Sequence, residues 1–237
     1  MLVWFDQSPR RVKSGRCSRD DTCAREAMTE PPPFKPEYFE RADDAADAAF
    51  YAAPRLVAHL DDAARAALAD WYAKLLAPGA AVLDLMSSCV SHLPDDIALG
   101  PVTGLGMNAV ELAANPQLDA ALVHDLNARP VLPFADGAFD ACLVAVSVQY
   151  LTQPVAVFAE IARVLRPDGV CAVSFSNRCF PTKAVALWQA FGDAEHVWLV
   201  QEYFRRSGGF GEAVFENLSP NASLTGDPLF GVAARRA

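Results

Sequence analysis

Between residues 80 and 176 short apolar runs alternate with stretches whose apolar positions recur every three or four residues, so strands and helices are predicted in turn. Ala80–Met86, Val102–Leu105, Ala121–His124, Phe139–Val146 and Val170–Ser176 read as five strands. Phe139–Val146 is apolar on both faces, as a central parallel strand should be. Asn108–Ala114 reads as a helix that stops near Asn115-Pro116. Pro154–Leu165 reads as another, with proline at its first position and Val157, Phe158, Ile161, Val164 and Leu165 on one stripe. Two more follow, Lys183–Phe191 stopped by Gly192, and Ala194–Arg206 capped by Asp193 and ended by Gly208-Gly209. The first crossover is atypical, because Pro94 and Gly100-Pro101 leave room only for a short, poorly formed helix.

Outside that region, Glu37–Leu76 is Ala-rich and helical in pattern, which predicts at least two helices before the sheet. Tyr51, Arg55 and His59 follow at four-residue steps and would share a helix face, although Pro54 can start a new helix there. That face is either a solvated surface or a lid over a ligand cleft. Phe210–Leu218 and Pro228–Ala234 read as two last strands. Ser219–Asp227 joins them without a helix, so they form an antiparallel pair. The expected fold class is α/β, a doubly wound, mostly parallel seven-stranded sheet with an antiparallel C-terminal pair. Residues 1–36, with scattered charges and Pro31, Pro32, Pro33 and Pro36, read as a disordered leader, and Met28 is an alternative start. Residues 37–237 read as one domain, with N-terminal helices over 37–78 and an α/β core over 79–237.

Composition narrows the class of function. In 237 residues, 52% hydrophobic and 21% charged, one large core can be buried. A formal net charge of -9 argues against a general grip on nucleic acid or an anionic membrane. No apolar run has the length of a membrane helix, and Leu2–Phe5 precede the first arginines, the reverse of a secretory signal. None of the six cysteines forms a CxxC pair, so reduced thiols and a cytoplasmic setting are expected. The four histidines do not pair with Cys or carboxylates at metal-ligand spacing, so no metal is expected. Oligomeric state is not readable.

The chemistry is expected where the first strand ends, in Val82–His92, VLDLMSSCVSH. Further on, LPFADGAFDACLVAVSVQYL (132–151) and FAEIARVLRPDG (158–169) resemble the central region of class I, type 11-like, S-adenosylmethionine-dependent methyltransferases. Their LPF-x-D turn, the Phe-Asp opening the fourth strand and the E-x-x-R-V-L-x-P-x-G helix end carry the resemblance, which in fold extends over about 80–237. It implies a Rossmann-like fold, S-adenosylmethionine as cofactor and methyl transfer. The family's D-x-G-x-G-x-G glycines are here Met86, Ser88 and Val90, so this is a glycine-free version of the first loop.

By the same resemblance the cofactor contacts fall on Asp84, Met86, Ser87, Ser88, Met107, Asn108, Asp125, Leu126, Asn127 and Ser147. Asp84 would orient the loop and meet the methionine amine. Ser87, Ser88 and Ser91 offer hydroxyls, Asn108 stands where the family has a ribose-binding acid, and Asp125-Leu126 would meet adenine. Substrate contacts fall on Tyr51, Arg55, Gln149, Asn177 and Arg178, with Thr182 and Lys183 nearby. This set is rich in hydrogen-bond donors and suits an anionic or carbonyl-bearing small molecule. A base, if the acceptor has a proton to lose, comes from His59, His92 or Tyr150. The expected function is methyl transfer to a small-molecule acceptor. The alternative is a catalytically inactive methyltransferase-like binding or scaffold protein, motivated by the missing glycines and by Asn108.

Overall fold

The structure is a computed structural model that describes residues 33–220 and 226–237. The leader expected over 1–36 lies outside the described residues up to position 32, and so does Met28. Everything below concerns the compact unit Lys35–Ala237. A 3-10 turn at Pro36–Phe39 precedes two helices, α1 (Asp47–Phe50) and α2 (Asp62–Leu75). The strands are β1 (Val82–Leu85), β2 (Val102–Gly106), β3 (Ala120–Val123), β4 (Phe139–Ala145), β5 (Leu165–Phe175), β6 (Val214–Asn217) and β7 (Phe230–Arg235). Between them lie α3 (Ala109–Ala113), α4 (Pro154–Val164), α5 (Ala186–Ala190) and α6 (Asp193–Ser207).

The seven strands form one sheet in the order β3-β2-β1-β4-β5-β7-β6. All pairings are parallel except those of β7, which runs antiparallel to β5 and β6. The strand order reverses between β1 and β4, which opens a crevice at their carboxyl ends. This is the expected fold class.

Both faces of the central strands are buried, and strand periodicity explains why their sequences are apolar throughout. Val82, Ala141, Leu143, Val170 and Ala172 join one core with Leu68, Trp71 and Tyr72 of α2. The alternate positions Leu83, Leu85, Cys142, Val144, Cys171 and Val173 are equally buried on the other face. Helices α4 and α6 pack on each other through Phe158, edge-on to Phe204 at 4.8 Å. Fixed by its Asp61 cap, whose side chain accepts from the Ala64 amide at 2.8 Å, α2 ends before Pro78-Gly79.

Three sequence expectations are corrected. No helix forms between β1 and β2, and the connection is irregular from Met86 to Pro101. The Tyr51-Arg55-His59 helix face does not exist. Helix α1 ends at Phe50, and residues 51–60 run irregularly to Asp61. Pro54 cannot donate to a helical ladder, and the freed backbone groups find distant partners instead. The fifth strand, expected over Val170–Ser176, begins at Leu165 and carries an irregularity over 166–169, with Asp168 at φ 62°.

Candidate functional site

A cavity of about 490 Å³ lies at the crevice where the strand order reverses, within the size range of small-molecule sites. Its walls come from the ends of β1, β2, β4 and β5, from the turn after β3, and from the irregular 51–60 segment, which therefore roofs the cleft without being helical.

The first loop keeps the shape that glycine would allow, without glycine. Met86 adopts φ 61°, a left-handed conformation that costs an L-residue of order 1–2 kcal/mol. The loop backbone continues β1 toward β2, the Ser87 amide donating to the Leu105 carbonyl at 2.9 Å. Gly106 is obligatory beside it, because a Cβ there would stand 2.1 Å from the Ser87 carbonyl oxygen.

Side chains then lock the loop. Asp84 is 2% exposed and its Oδ2 accepts from Ser87 Oγ at 2.5 Å and Ser91 Oγ at 2.6 Å. Burial pushes its carboxyl up to about 6 despite those two hydrogen bonds. Ser88 Oγ donates to Glu111 at 2.6 Å, and Asn115 ties the Ser88 carbonyl to Ser91 Oγ. The hydroxyls expected to face a ligand thus point inward to Asp84 and Glu111. Met86, Ser87 and Ser88 nevertheless line the cavity.

Asn108 does not face the cleft. Its Oδ1 caps α3, accepting from the Val110 and Glu111 amides at 2.9 and 3.2 Å. Its Nδ2 donates to the Tyr51 and Ala52 carbonyls at 2.8 and 3.2 Å, which anchors the roof. The acid in this part of the cleft is Glu111, unmarked in the sequence reading. It is 8% exposed, lines the cavity, and accepts from the Arg55 backbone amide at 2.7 Å as well as from Ser88. Its sequence signal was disguised, because Asn-x-x-Glu is the spacing of a capping box. Here the Glu side chain reaches across to the roof instead.

After β3, Asp125 and Leu126 line the cavity, with Met107 close by in the same wall. Asp125 Oδ1 accepts from the Asn127 and Ala128 amides at 2.9 and 3.1 Å. Asn127 also lines the cavity, yet both ends of its amide are engaged. Nδ2 donates to Asp47 and to the Tyr150 carbonyl, and Oδ1 accepts from the Thr152 amide and hydroxyl.

At the end of β4, Val146 adopts φ 41°, and Ser147 presents to the cavity a buried hydroxyl without a partner. Gln149 is fully buried behind the wall, its Nε2 donating to the Val146 carbonyl at 2.9 Å, so it does not reach a substrate. Tyr150 lines the cavity, but its hydroxyl accepts from the Phe180 amide at 2.8 Å and burial pushes the phenol up to about 12. That makes it unsuited to act as a base near neutral pH. Thr182 lends its carbonyl to the Asp43 amide. Lys183 is fully buried between Asp43 and Asp47, each at 3.2 Å, away from the cleft.

The remaining predicted residues do converge. Tyr51, Arg55 and His59 descend from the roof, His92 rises from the first loop, and Asn177 and Arg178 come from the end of β5. Arg178 is paired with Asp227 at 2.7 Å. His92 is 8% exposed, its Nδ1 has no partner, and burial pushes it down to about 4, so it is a neutral hydrogen-bonding group. Burial also lowers His59 and raises the Tyr51 phenol. Asp47, His124, Cys179 and Phe180 also line the cavity and were not anticipated. Among the described residues no group of three or more His, Cys, Asp or Glu is placed to hold a metal ion, and no helix is long and apolar enough to cross a membrane.

Residues 91–173 match the family described as Methyltransferase domain. No curated protein matches the chain. Among solved structures, an S-adenosylmethionine-dependent methyltransferase from Aquifex aeolicus shares 19% identity over 75% of this chain and 95% of its own, with a TM-score of 0.51. Phosphoethanolamine N-methyltransferase 2 of Haemonchus contortus, solved with S-adenosyl-L-methionine, shares 13% over 70% and 52%, TM-score 0.51. The [4+2]-cyclase SpnF shares 20% over 71% and 80%, TM-score 0.52. At these identities the likeness is one of fold.

Proposed function

We propose, for a chain whose residues 91–173 match the methyltransferase-domain family and whose fold is shared with S-adenosylmethionine-dependent methyltransferases, methyl transfer from S-adenosylmethionine to a small-molecule acceptor bound under the 51–60 roof. The observation that carries this reading is the position of unpartnered buried polar atoms. Ser147 Oγ and His92 Nδ1 both belong to residues lining the crevice where this sheet reverses, and buried polar groups left single are characteristic of a ligand's place.

Cofactor binding divides among the walls. Asp125 meets the adenine amino group and Leu126 packs on the ring. Glu111, on the first turn of α3, takes the ribose hydroxyls in place of the acid that the end of β2 lacks. The loop Met86–Ser88 and Met107 enclose the methionine part, with Asp84 shaping the loop from beneath, and Ser147 closes the β4 side. Asn108 acts as a positioning residue, because it sets both α3 and the roof.

The sulfonium of the cofactor supplies the activated methyl group. What the chain contributes is alignment, which can lower a barrier by roughly 7 to 11 kcal/mol in well-oriented reactions. His92, neutral at working pH, accepts a hydrogen bond from the acceptor and fixes its nucleophile. His59 stands nearer the mouth, with its ring edge-on to Phe180 at 5.6 Å. Tyr51, Asn177 and Arg178 line the acceptor end.

The second reading, a domain that binds without transferring, draws on the inward-facing serines of the first loop. Titration calorimetry with S-adenosylhomocysteine separates the two. Binding by the parent protein, weakened about tenfold or more in Asp125→Ala, supports the proposal. An absence of binding near 1 mM rejects it, and unchanged affinity in the variant removes adenine from this wall.

A further inference from the structure

Arg55 carries a positive charge that its surroundings do not answer. Its guanidinium carbon lies 4.6 Å from the Phe50 ring centroid, 5.2 Å from that of Phe180 and 5.8 Å from that of Tyr51, so ring faces hold it in place. Nη2 donates to the Phe50 carbonyl at 3.1 Å, while Nη1 is buried without a partner.

The acids lining the same cleft are engaged elsewhere. Asp47 pairs with Arg41 at 2.7 Å and with Lys183 at 3.2 Å, Asp84 holds two serines, Glu111 holds Ser88 and the Arg55 backbone, and Asp125 holds the Asn127 and Ala128 amides in the turn after β3. The other cleft cation, Arg178, is neutralised by Asp227, and His92 is uncharged. Among the described residues, Arg55 is therefore the cleft's uncompensated cation.

We propose that Arg55 is a carboxylate receptor, pre-set by the three rings to bind a carboxylate carried by a molecule in the cleft. A half-buried guanidinium whose Nη1 is cut off from water and has no partner is unfavourable, and a ligand carboxylate removes that penalty while using the open edge of the planar fork. The aromatic walls orient the guanidinium without neutralising it, which leaves its charge for the ligand.

On the methyltransferase reading, two molecules can bring the carboxylate, the amino-acid end of the cofactor or the acceptor itself. The guanidinium–carboxylate pairing is separable from that reading, and so is its test. Dissociation constants are measured for S-adenosylhomocysteine and for methylthioadenosine, which keeps the nucleoside and sulfur but has no amino-acid end. The proteins are the full chain, Arg55→Gln and Arg55→Lys. In parallel, benzoate and its uncharged analogue benzamide are added to the free and the S-adenosylhomocysteine-loaded protein, and melting temperatures are read.

If Arg55→Gln loses about tenfold or more for S-adenosylhomocysteine and nothing for methylthioadenosine, the carboxylate is the cofactor's. If it keeps both but loses a melting-temperature rise that benzoate gives and benzamide does not, the carboxylate is the acceptor's. Arg55→Lys, with charge but no fork, falls between parent and Arg55→Gln in whichever arm responds. An Arg55→Gln protein that binds every probe like its parent overturns the proposal.

Should Arg55→Gln not fold, the parent decides. Either S-adenosylhomocysteine binds about tenfold more tightly than methylthioadenosine or benzoate outperforms benzamide, and if neither holds the proposal falls. Failure of the parent to bind S-adenosylhomocysteine counts against the methyltransferase reading instead, and the benzoate arm on the free protein still decides Arg55.

Discussion

The two sides of the cleft differ in how their polar groups are satisfied. On the first-loop side, Asp84, Ser87, Ser88, Ser91, Glu111 and Asn115 bond to one another, so that loop is held rigid by its own side chains. On the roof and at the end of β4, by contrast, Arg55 Nη1 and Ser147 Oγ are buried without partners, and they are joined by His92 Nδ1 from the far end of the first loop. The first set holds the loop in a conformation that glycine adopts without strain and that Met86, at φ 61°, adopts at a cost. On the proposed reading the second set is what ligands meet. Changes in the first set should therefore lower stability, those at Glu111 lowering binding as well because it also lines the cavity, and changes in the second should lower binding at little cost in stability.

The largest expected effect tests both sets through pH. The folded-state value of Asp84 is raised to about 6 from 3.8, so its contribution to stability is full below about 4 and is lost as pH rises through 6. His92 is depressed to about 4 from 6.5, so its contribution is full above 6.5 and is lost as pH falls through 4. Each shift corresponds to roughly 3 kcal/mol at about 1.4 kcal/mol per unit, with opposite signs over the same range. From these two groups the parent's stability changes little between pH 4 and 6.5. Denaturant titrations should show Asp84→Asn losing stability on acidification and His92→Phe losing it as pH rises. Two parallel profiles would refute the assignment.

Next in size, Glu111→Ala strips two donors, Ser88 Oγ and the Arg55 amide, of their acceptor and should cost about 2 to 3 kcal/mol of unfolding free energy. Gly106→Ala drives a methyl group into the Ser87 carbonyl and should cost about 1 to 3 kcal/mol, with a matching loss of S-adenosylhomocysteine affinity as the loop shifts. Smallest is Ser147→Ala. Removing an unpartnered hydroxyl should move stability by less than about 0.5 kcal/mol. A loss of 2 kcal/mol there would place Ser147 in the structural set.

The sheet was legible because its signals are local. Strands buried on both faces read as continuous apolar runs, and Pro154 marked the start of α4 at its own position. The roof was not legible, since four-residue spacing at Tyr51, Arg55 and His59 fits a helix, whereas its irregular path is fixed by partners more than fifty positions away on α3. The same distance effect misplaced Asn108. A residue suited to ribose became a cap because its amide serves α3 and the roof together, and Glu111, three residues on, faces the cleft. Gln149 failed for a related reason, because the 3-10 turn Val148–Tyr150 rotates it behind Val146.

On the proposed function, a side-chain-locked loop with Glu111 beside it still forms an S-adenosylmethionine site. Melting curves with and without about 1 mM S-adenosylhomocysteine, on the parent and on Glu111→Gln, test it most directly. A clear rise is expected for the parent, since ligand at a hundred times its dissociation constant adds about 2.7 kcal/mol, and a rise largely lost in a folded Glu111→Gln protein. No rise in the parent, or an equal rise in both, would contradict it.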